Sequence, residues 1–141
     1  MLIKQFALKY NLSNDTIRFY EKEGLLHPSR LQNGYRFYDE QCEKTIKFII
    51  VLKQLGFSIQ EIQLLLTLDQ RPVTNECNDS SASLFAQKII AVEKQIEFYT
   101  IALQSLNLAE GLIRDGKYGA NKSKIDVVIE EMYQKITEGV E

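Results

Sequence analysis

The spacing of apolar residues changes character three times along the chain, and each change marks a different kind of element. Ile3, Phe6, Ala7 and Tyr10 recur at helical intervals until Asn11-Leu12-Ser13-Asn14 interrupts them with turn and cap chemistry, which predicts a short first helix. Ser13 or Asn14 can cap a second helix running to about Glu23, with Gly24 as its left-handed stop. Pro28 and Asn33-Gly34 then punctuate two short apolar or aromatic runs, and Asn-Gly in that setting predicts a hairpin closed by a type I′ turn. Asp39 caps a helix through Thr45, Phe48, Ile49 and Leu52 to Leu55, which Gly56 ends. Ser58 with Glu61 is a capping box opening another helix, and Phe48, Leu52, Leu55, Phe57, Ile59, Ile62 and Leu65 are the expected core of this layer.

Pro72 and the polar run from Thr74 to Ser81 mark a linker over 69–80. Beyond it Phe85, Ile89, Val92, Ile96, Tyr99, Leu103, Leu106, Glu110 and Ile113 step by alternating fours and threes, the seam of a coiled coil. A dimerisation helix within 81–116 is predicted; from about Ser83 to Arg114 it would be about 48 Å long at ~1.5 Å per residue, and one small domain cannot bury that length. A second copy of the chain is the expected cover, so the protein is expected to be a homodimer. After Gly116 comes a loop, and Ser123 can cap a final helix through Ile125, Val128, Met132 and Ile136, which makes 117–141 a tail or effector segment. The fold class expected is mainly α: a winged helix-turn-helix domain over 1–68, a long dimerisation helix and a short terminal helix.

Three blocks in order, TIRFYEKEGLL (Thr16 to Leu26), NGYRFY (Asn33 to Tyr38) and LGFSIQEIQLLL (Leu55 to Leu66), resemble the DNA-binding domain of the MerR family of bacterial transcription regulators. The resemblance covers roughly half the chain. It implies a dimer paired through a long antiparallel helix and seated on successive half-sites of a near-palindromic promoter operator. It further implies that an effector triggers bending and untwisting of the duplex, bringing the contacts of RNA polymerase into phase.

The residues themselves indicate where DNA would bind. With Ile17 turned to the core, a rotation of ~100° per residue puts Asp15, Thr16, Arg18, Phe19 and Lys22 outward and Tyr20 at the flank. Arg18 can fork onto guanine or clamp a phosphate, Thr16 can bond a phosphate or a base edge, and an aromatic ring can press on sugar and backbone. In the hairpin, read as a wing, Arg30, Tyr35, Arg36 and Tyr38 concentrate basic and aromatic groups on a small loop. By the resemblance, Arg18 and Arg36 stand where the family pattern carries arginine, and Phe19 stands where it often carries tyrosine.

Charge supports the division. The net charge of −2 conceals nine Lys or Arg against six Asp or Glu over residues 1–58, and eight against thirteen over the remainder. The basic half is the one expected on the duplex, where counterion release needs positive charge. At 141 residues, with no apolar run of membrane-spanning length and no signal peptide, the chain reads as a small cytoplasmic protein with no membrane partner. No phosphate loop, paired histidine and nucleophile, zinc cluster or nucleotide fingerprint is present, so no enzyme activity and no cofactor are expected.

The two cysteines, Cys42 and Cys77, form no disulfide framework. Cys42 falls in the first turn of a packing helix and reads as structural. By the resemblance, Cys77 stands where thiol-dependent metal sensors of the family place a ligand. Such sensors complete the site with cysteines near the far end of the dimer helix, and Leu112 to Ser123 contains none. The expectation is therefore a small effector sensed near Tyr99, Asp115 and Tyr118. A metal- or thiol-reactive sensor acting through Cys77 and a DNA-binding accessory protein without effector response are the alternatives.

Overall fold

The computed structural model describes residues 1–68 and 75–138, with side chains over 1–68 and 79–137. These divide into two compact units, Met1–Leu84 and Phe85–Glu141.

In the first unit, helix α1 (Ile3–Lys9) ends at a turn in which Asn11 takes a φ of 53° and the Leu12 amide donates to the Ala7 carbonyl at 2.9 Å. Asparagine tolerates this left-handed geometry better than most side chains, so the turn of the helix-turn-helix is written in one residue. Helix α2 (Asn14–Lys22) follows, its first turn capped by the Ser13 hydroxyl, which accepts from the Thr16 amide at 3.0 Å. The short strands β1 (Ser29–Arg30) and β2 (Arg36–Phe37) pair antiparallel, Ser29 opposite Phe37 and Arg30 opposite Arg36.

The hairpin turn differs from the type I′ geometry expected of Asn-Gly. Asn33 is not among the residues with positive φ; only Gly34 is left-handed, at 85°. The Gly34 amide donates to the Leu31 carbonyl and the Leu31 amide to the Tyr35 carbonyl, both at 2.9 Å, which closes a three-residue loop with Gly34 as its bulge. The Asn33 side chain accepts from the Tyr35 amide at 3.1 Å, so asparagine serves here through its side chain and glycine through its backbone.

Helices α3 (Glu40–Gln54) and α4 (Ile59–Thr67) underlie the wing. Asp39 caps α3 through the Cys42 amide at 3.0 Å, and Ser58 with Glu61 forms the capping box of α4, both as the sequence predicts. Phe6, Ile17, Leu26, Ile46, Ile49 and Ile62 are fully buried at the centre of the core. Of the residues expected there, Leu52, Phe57, Ile62 and Leu65 are buried and Ile59 packs against them, whereas Phe48 and Leu55 are exposed. The buried stripe of α3 runs through Cys42, Ile46, Ile49 and Leu52 instead, which turns Phe48 and Leu55 to the other side. Burial pushes the Cys42 thiol up, and the residue packs as a small apolar core group.

Helix α5 (Asn75–Arg114) begins inside the stretch expected to be linker; residues 69–74 lie outside the described residues, as do the side chains at 75–78. Its first turns bring Ser81 and Leu84 into the burial of the first unit. The second unit holds the rest of α5 and helix α6 (Lys122–Glu138), joined through Gly116 and a single 3-10 turn over Gly119–Asn121. Ser123, expected to cap the last helix, lies within it, because the 3-10 turn leads directly into α6 at Lys122. No helix among the described residues is long and apolar enough to cross a membrane.

Two measurements follow from the caps. Ser58→Ala should lower unfolding free energy by about 1 kcal/mol, read as a shifted denaturant midpoint at constant slope. The Cys42 amide holds the Asp39 carboxyl below the usual carboxylate range, and the Lys9 ammonium and then the Tyr10 hydroxyl do the same for Glu43. A depressed folded-state pKa contributes stability above the unfolded value of about 4 that is lost as pH falls through the folded one. Asp39→Ala should therefore destabilise at neutral pH and converge on the parent chain in acid; a penalty independent of pH would show that the carboxylate cap is not its source.

Candidate nucleic-acid interface

Burial of Ile17 orients α2, and the helical period then exposes Asp15, Arg18, Phe19 and Lys22 and leaves Thr16 half-exposed. Arg18 lies 3.5 Å from the Asp15 carboxylate, an exposed pair whose attraction is weak and screened, so its guanidinium is available to a stronger anion. Thr16 shares a hydrogen bond of 2.8 Å with the Ser13 hydroxyl at the start of the helix.

The wing is tied to α2 by charge. Arg36 Nε donates to Glu21 Oε2 at 2.7 Å across fifteen residues of sequence, which spends one edge of the guanidinium on orientation. Arg30 reaches over the hairpin to donate to the Gly34 carbonyl at 2.9 Å, stiffening the loop that presents the exposed ring of Tyr35. As a result Arg18, Gly34, Tyr35 and Arg36 line one groove of about 280 Å³ with Leu2 and Ile3. Two arginines from separate elements thus face a common space, the arrangement that a polyphosphate backbone beside a groove would engage. A second, shallower groove brings Lys53 of α3 beside Thr16 and Phe19. Lys53 lies thirty-five positions beyond Arg18, and no local pattern marks it.

Two of the residues expected on this surface are largely withdrawn from solvent. Tyr20 is 7% exposed and Tyr38 1%. Tyr20 falls three positions after Ile17 and so shares its inward face. Tyr38 stacks on Phe6 with ring centroids 4.6 Å apart, and its backbone exchanges hydrogen bonds with Met1, at 2.7 Å from the Tyr38 amide and 3.0 Å to its carbonyl. Burial pushes both phenols up, and the Tyr38 hydroxyl has no hydrogen-bond partner among the described residues. Tyr38 serves the core beneath the surface, whereas Tyr20, though buried, also borders the groove that holds Thr16, Phe19 and Lys53.

Of the residues expected at an effector site, Tyr118 borders an apolar groove between α5 and α6, while Tyr99 and Asp115 do not line it. The Cys77 side chain lies outside the described residues. No group of three or more His, Cys, Asp or Glu among the described residues is placed to hold a metal ion. Along α5, Phe85, Ile89, Ile96, Tyr99, Leu103, Leu106 and Ile113 are all exposed.

Residues 1–68 match the family model for the MerR HTH family regulatory protein, and residues 44–108 match the model "MerR, DNA binding". The HTH-type transcriptional regulator ZntR of Escherichia coli (strain K12) is 30% identical over 139 residues, 98% of this chain and 95% of that protein. The mercuric resistance operon regulatory protein of Bacillus cereus is 34% identical over 96 residues, 67% of this chain and 71% of that one. Among solved structures, HiNmlR, a MerR family regulator lacking the sensor domain and bound to promoter DNA, has a similar fold with a TM-score of 0.66 at 24% identity, covering 82% of this chain and 91% of that one.

Burial of the Tyr38 hydroxyl without a partner yields a direct test of its role. Tyr38→Phe removes an unsatisfied polar atom and should raise stability by about 1 kcal/mol while leaving DNA affinity unchanged. A loss of DNA binding in that variant would return Tyr38 to the contact surface.

Proposed function

The chain belongs to the MerR family of helix-turn-helix regulators, and from that premise we propose that it binds a near-palindromic promoter operator as a homodimer, in the cytoplasm, and activates transcription by distorting the DNA when an effector binds. The observation that carries this reading is the shared groove of Arg18 and Arg36, with the wing braced to α2 through Glu21. Thr16, Arg18, Phe19, Lys22, Arg30, Tyr35 and Arg36 are the contacts we assign to DNA, joined by Lys53. In this reading Arg18 enters the major groove, whereas Arg36 and Tyr35 grip the backbone beside it. RNA polymerase at the same promoter is the further partner.

The dimer rests on a physical argument. Seven large apolar or aromatic side chains of α5 are solvent-exposed at coiled-coil spacing, and a second copy covering them would bury each one. Val92, half-exposed, completes the stripe. Two copies paired this way carry two basic surfaces, as an operator with two half-sites requires.

A second reading has two observations in its favour. Cys77 falls in the first turn of α5, and the relatives include one named for mercuric resistance. In that reading a soft metal is the effector, and tight stoichiometric binding lost in Cys77→Ser is its signature.

Binding-site selection with the purified chain would supply the operator for two tests. Arg18→Ala should weaken operator binding by about 1 to 3 kcal/mol, and Arg36→Ala should weaken specific and non-specific DNA alike and reduce the salt slope by about 1. Unchanged isotherms for both would remove this surface from consideration. In the second test, Ile96→Asp with Leu103→Asp should abolish the dimer, since carboxylates buried without partners are strongly disfavoured; a stable dimer in sedimentation would locate the interface elsewhere.

A further inference from the structure

The hairpin of α5 and α6 contains an apolar groove of about 300 Å³, at the small end of the range for ligand sites. Its shape follows from residue size. On α5 the small side chains Ala102, Ser105 and Ala109 recur on one face, and opposite them α6 presents Ile125, Val128 and Met132. The two helices are bound to each other beyond both ends of the groove: Lys135 of α6 pairs with Glu97 of α5, and the connection is folded by the 3-10 turn, where the Asn121 amide side chain donates to the Lys117 carbonyl at 3.0 Å. Small residues between two such fastenings leave a space the hairpin does not fill. No hydrophobic side chain from Phe85 onward among the described residues is fully buried, so the walls remain partly wet.

The chemistry of the lining selects its occupant. No charged side chain lines the groove, and the Ser105 hydroxyl already donates to the Ile101 carbonyl at 2.8 Å. Ser105 keeps only acceptor capacity, and Tyr118, which borders the groove at the turn, brings a phenol that can donate to an occupant. An anion or cation would lose its hydration with nothing to replace it, whereas a neutral apolar body loses none. The groove face is centred roughly a quarter-turn around α5 from the exposed stripe of Tyr99, Leu103 and Ile113, so the two faces are distinct. Leu106 belongs to both faces.

We propose that this groove is the effector site, taking a neutral, mainly apolar small molecule with one hydrogen-bonding atom set against Tyr118. The proposal rests on the regulator reading above and gives its effector a chemical class. Through Leu106, an occupant touches the stripe that pairs the two copies and so biases that pairing, which is a route from ligand to DNA geometry.

Fluorescence titration of the full chain with 1-naphthol, naphthalene and 1-naphthoate tests it, alongside binding to the selected operator. The two neutral probes should bind one per chain, and the carboxylate should bind at least tenfold more weakly. Ala109→Phe, which fills the groove, should weaken both neutral probes at least tenfold, while Val127→Phe on the exposed side of α6 should leave them unchanged. Tyr118→Phe keeps the groove and should weaken 1-naphthol severalfold with naphthalene unaffected, so the proposal stays testable even where Ala109→Phe fails to fold. Equal binding of the carboxylate, or unaltered 1-naphthol binding in Tyr118→Phe, overturns the proposal. Operator binding without probe binding defeats the groove alone; probe binding without operator binding defeats the regulator reading and leaves the groove as a ligand site.

Discussion

The complete burial of Ile17 is the constraint on which the DNA-facing half of this molecule depends. One side chain held in the core fixes the rotation of α2, and every other position on that helix is then assigned inward or outward by its 3.6-residue period. Burying an isoleucine of this kind is worth about 1.5 to 3 kcal/mol, more than any exposed ion pair on the opposite face contributes. Arg18 is therefore positioned by apolar packing, and its weak exposed pairing with Asp15 leaves its charge to a ligand.

The wing obeys the same logic with a different fastening. Two residues per strand are too few to hold a hairpin in water, and its placement comes from outside the sheet. Tyr38 anchors its far end on Phe6, and Arg36 anchors its side on Glu21. The arginine that braces the wing is thus also one that faces the groove. Its Nε belongs to the fold, and its remaining donors point to function.

In the second unit the balance is reversed. Its apolar residues outnumber the places the hairpin has to bury them, and the result is an exposed stripe on α5 and an apolar groove against α6. The stripe is regular and long, the pattern that a second helix recognises. The groove is short, enclosed on two sides and uncharged, a pattern that suits a small molecule.

Much of this was legible in the chain itself because it is local. The Ser13, Asp39 and Ser58 caps, the Gly24 and Gly56 stops and the heptad run from Phe85 to Ile113 are each decided by residues within a few positions of one another. The outward placement of Arg18 and Lys22 needed only Ile17 and a period. What local pattern could not decide was anything set by partners distant in sequence. Tyr38 lies inside because Phe6 is there to stack on it, thirty-two positions away, and an aromatic beside an arginine reads the same from the sequence whether it is buried or presented. Phe48 and Leu55 are exposed because the core chose the Cys42 to Leu52 stripe of α3 over its neighbour. The turn at Asn33-Gly34 took a bulged three-residue form because the strand register demanded it. Lys53 reached the side of Thr16, and Tyr118 the side of Met132, by tertiary packing alone. Sequence determines the elements and their amphipathic faces through short-range chemistry; which of two similar faces is buried is settled only when distant side chains compete for the same core.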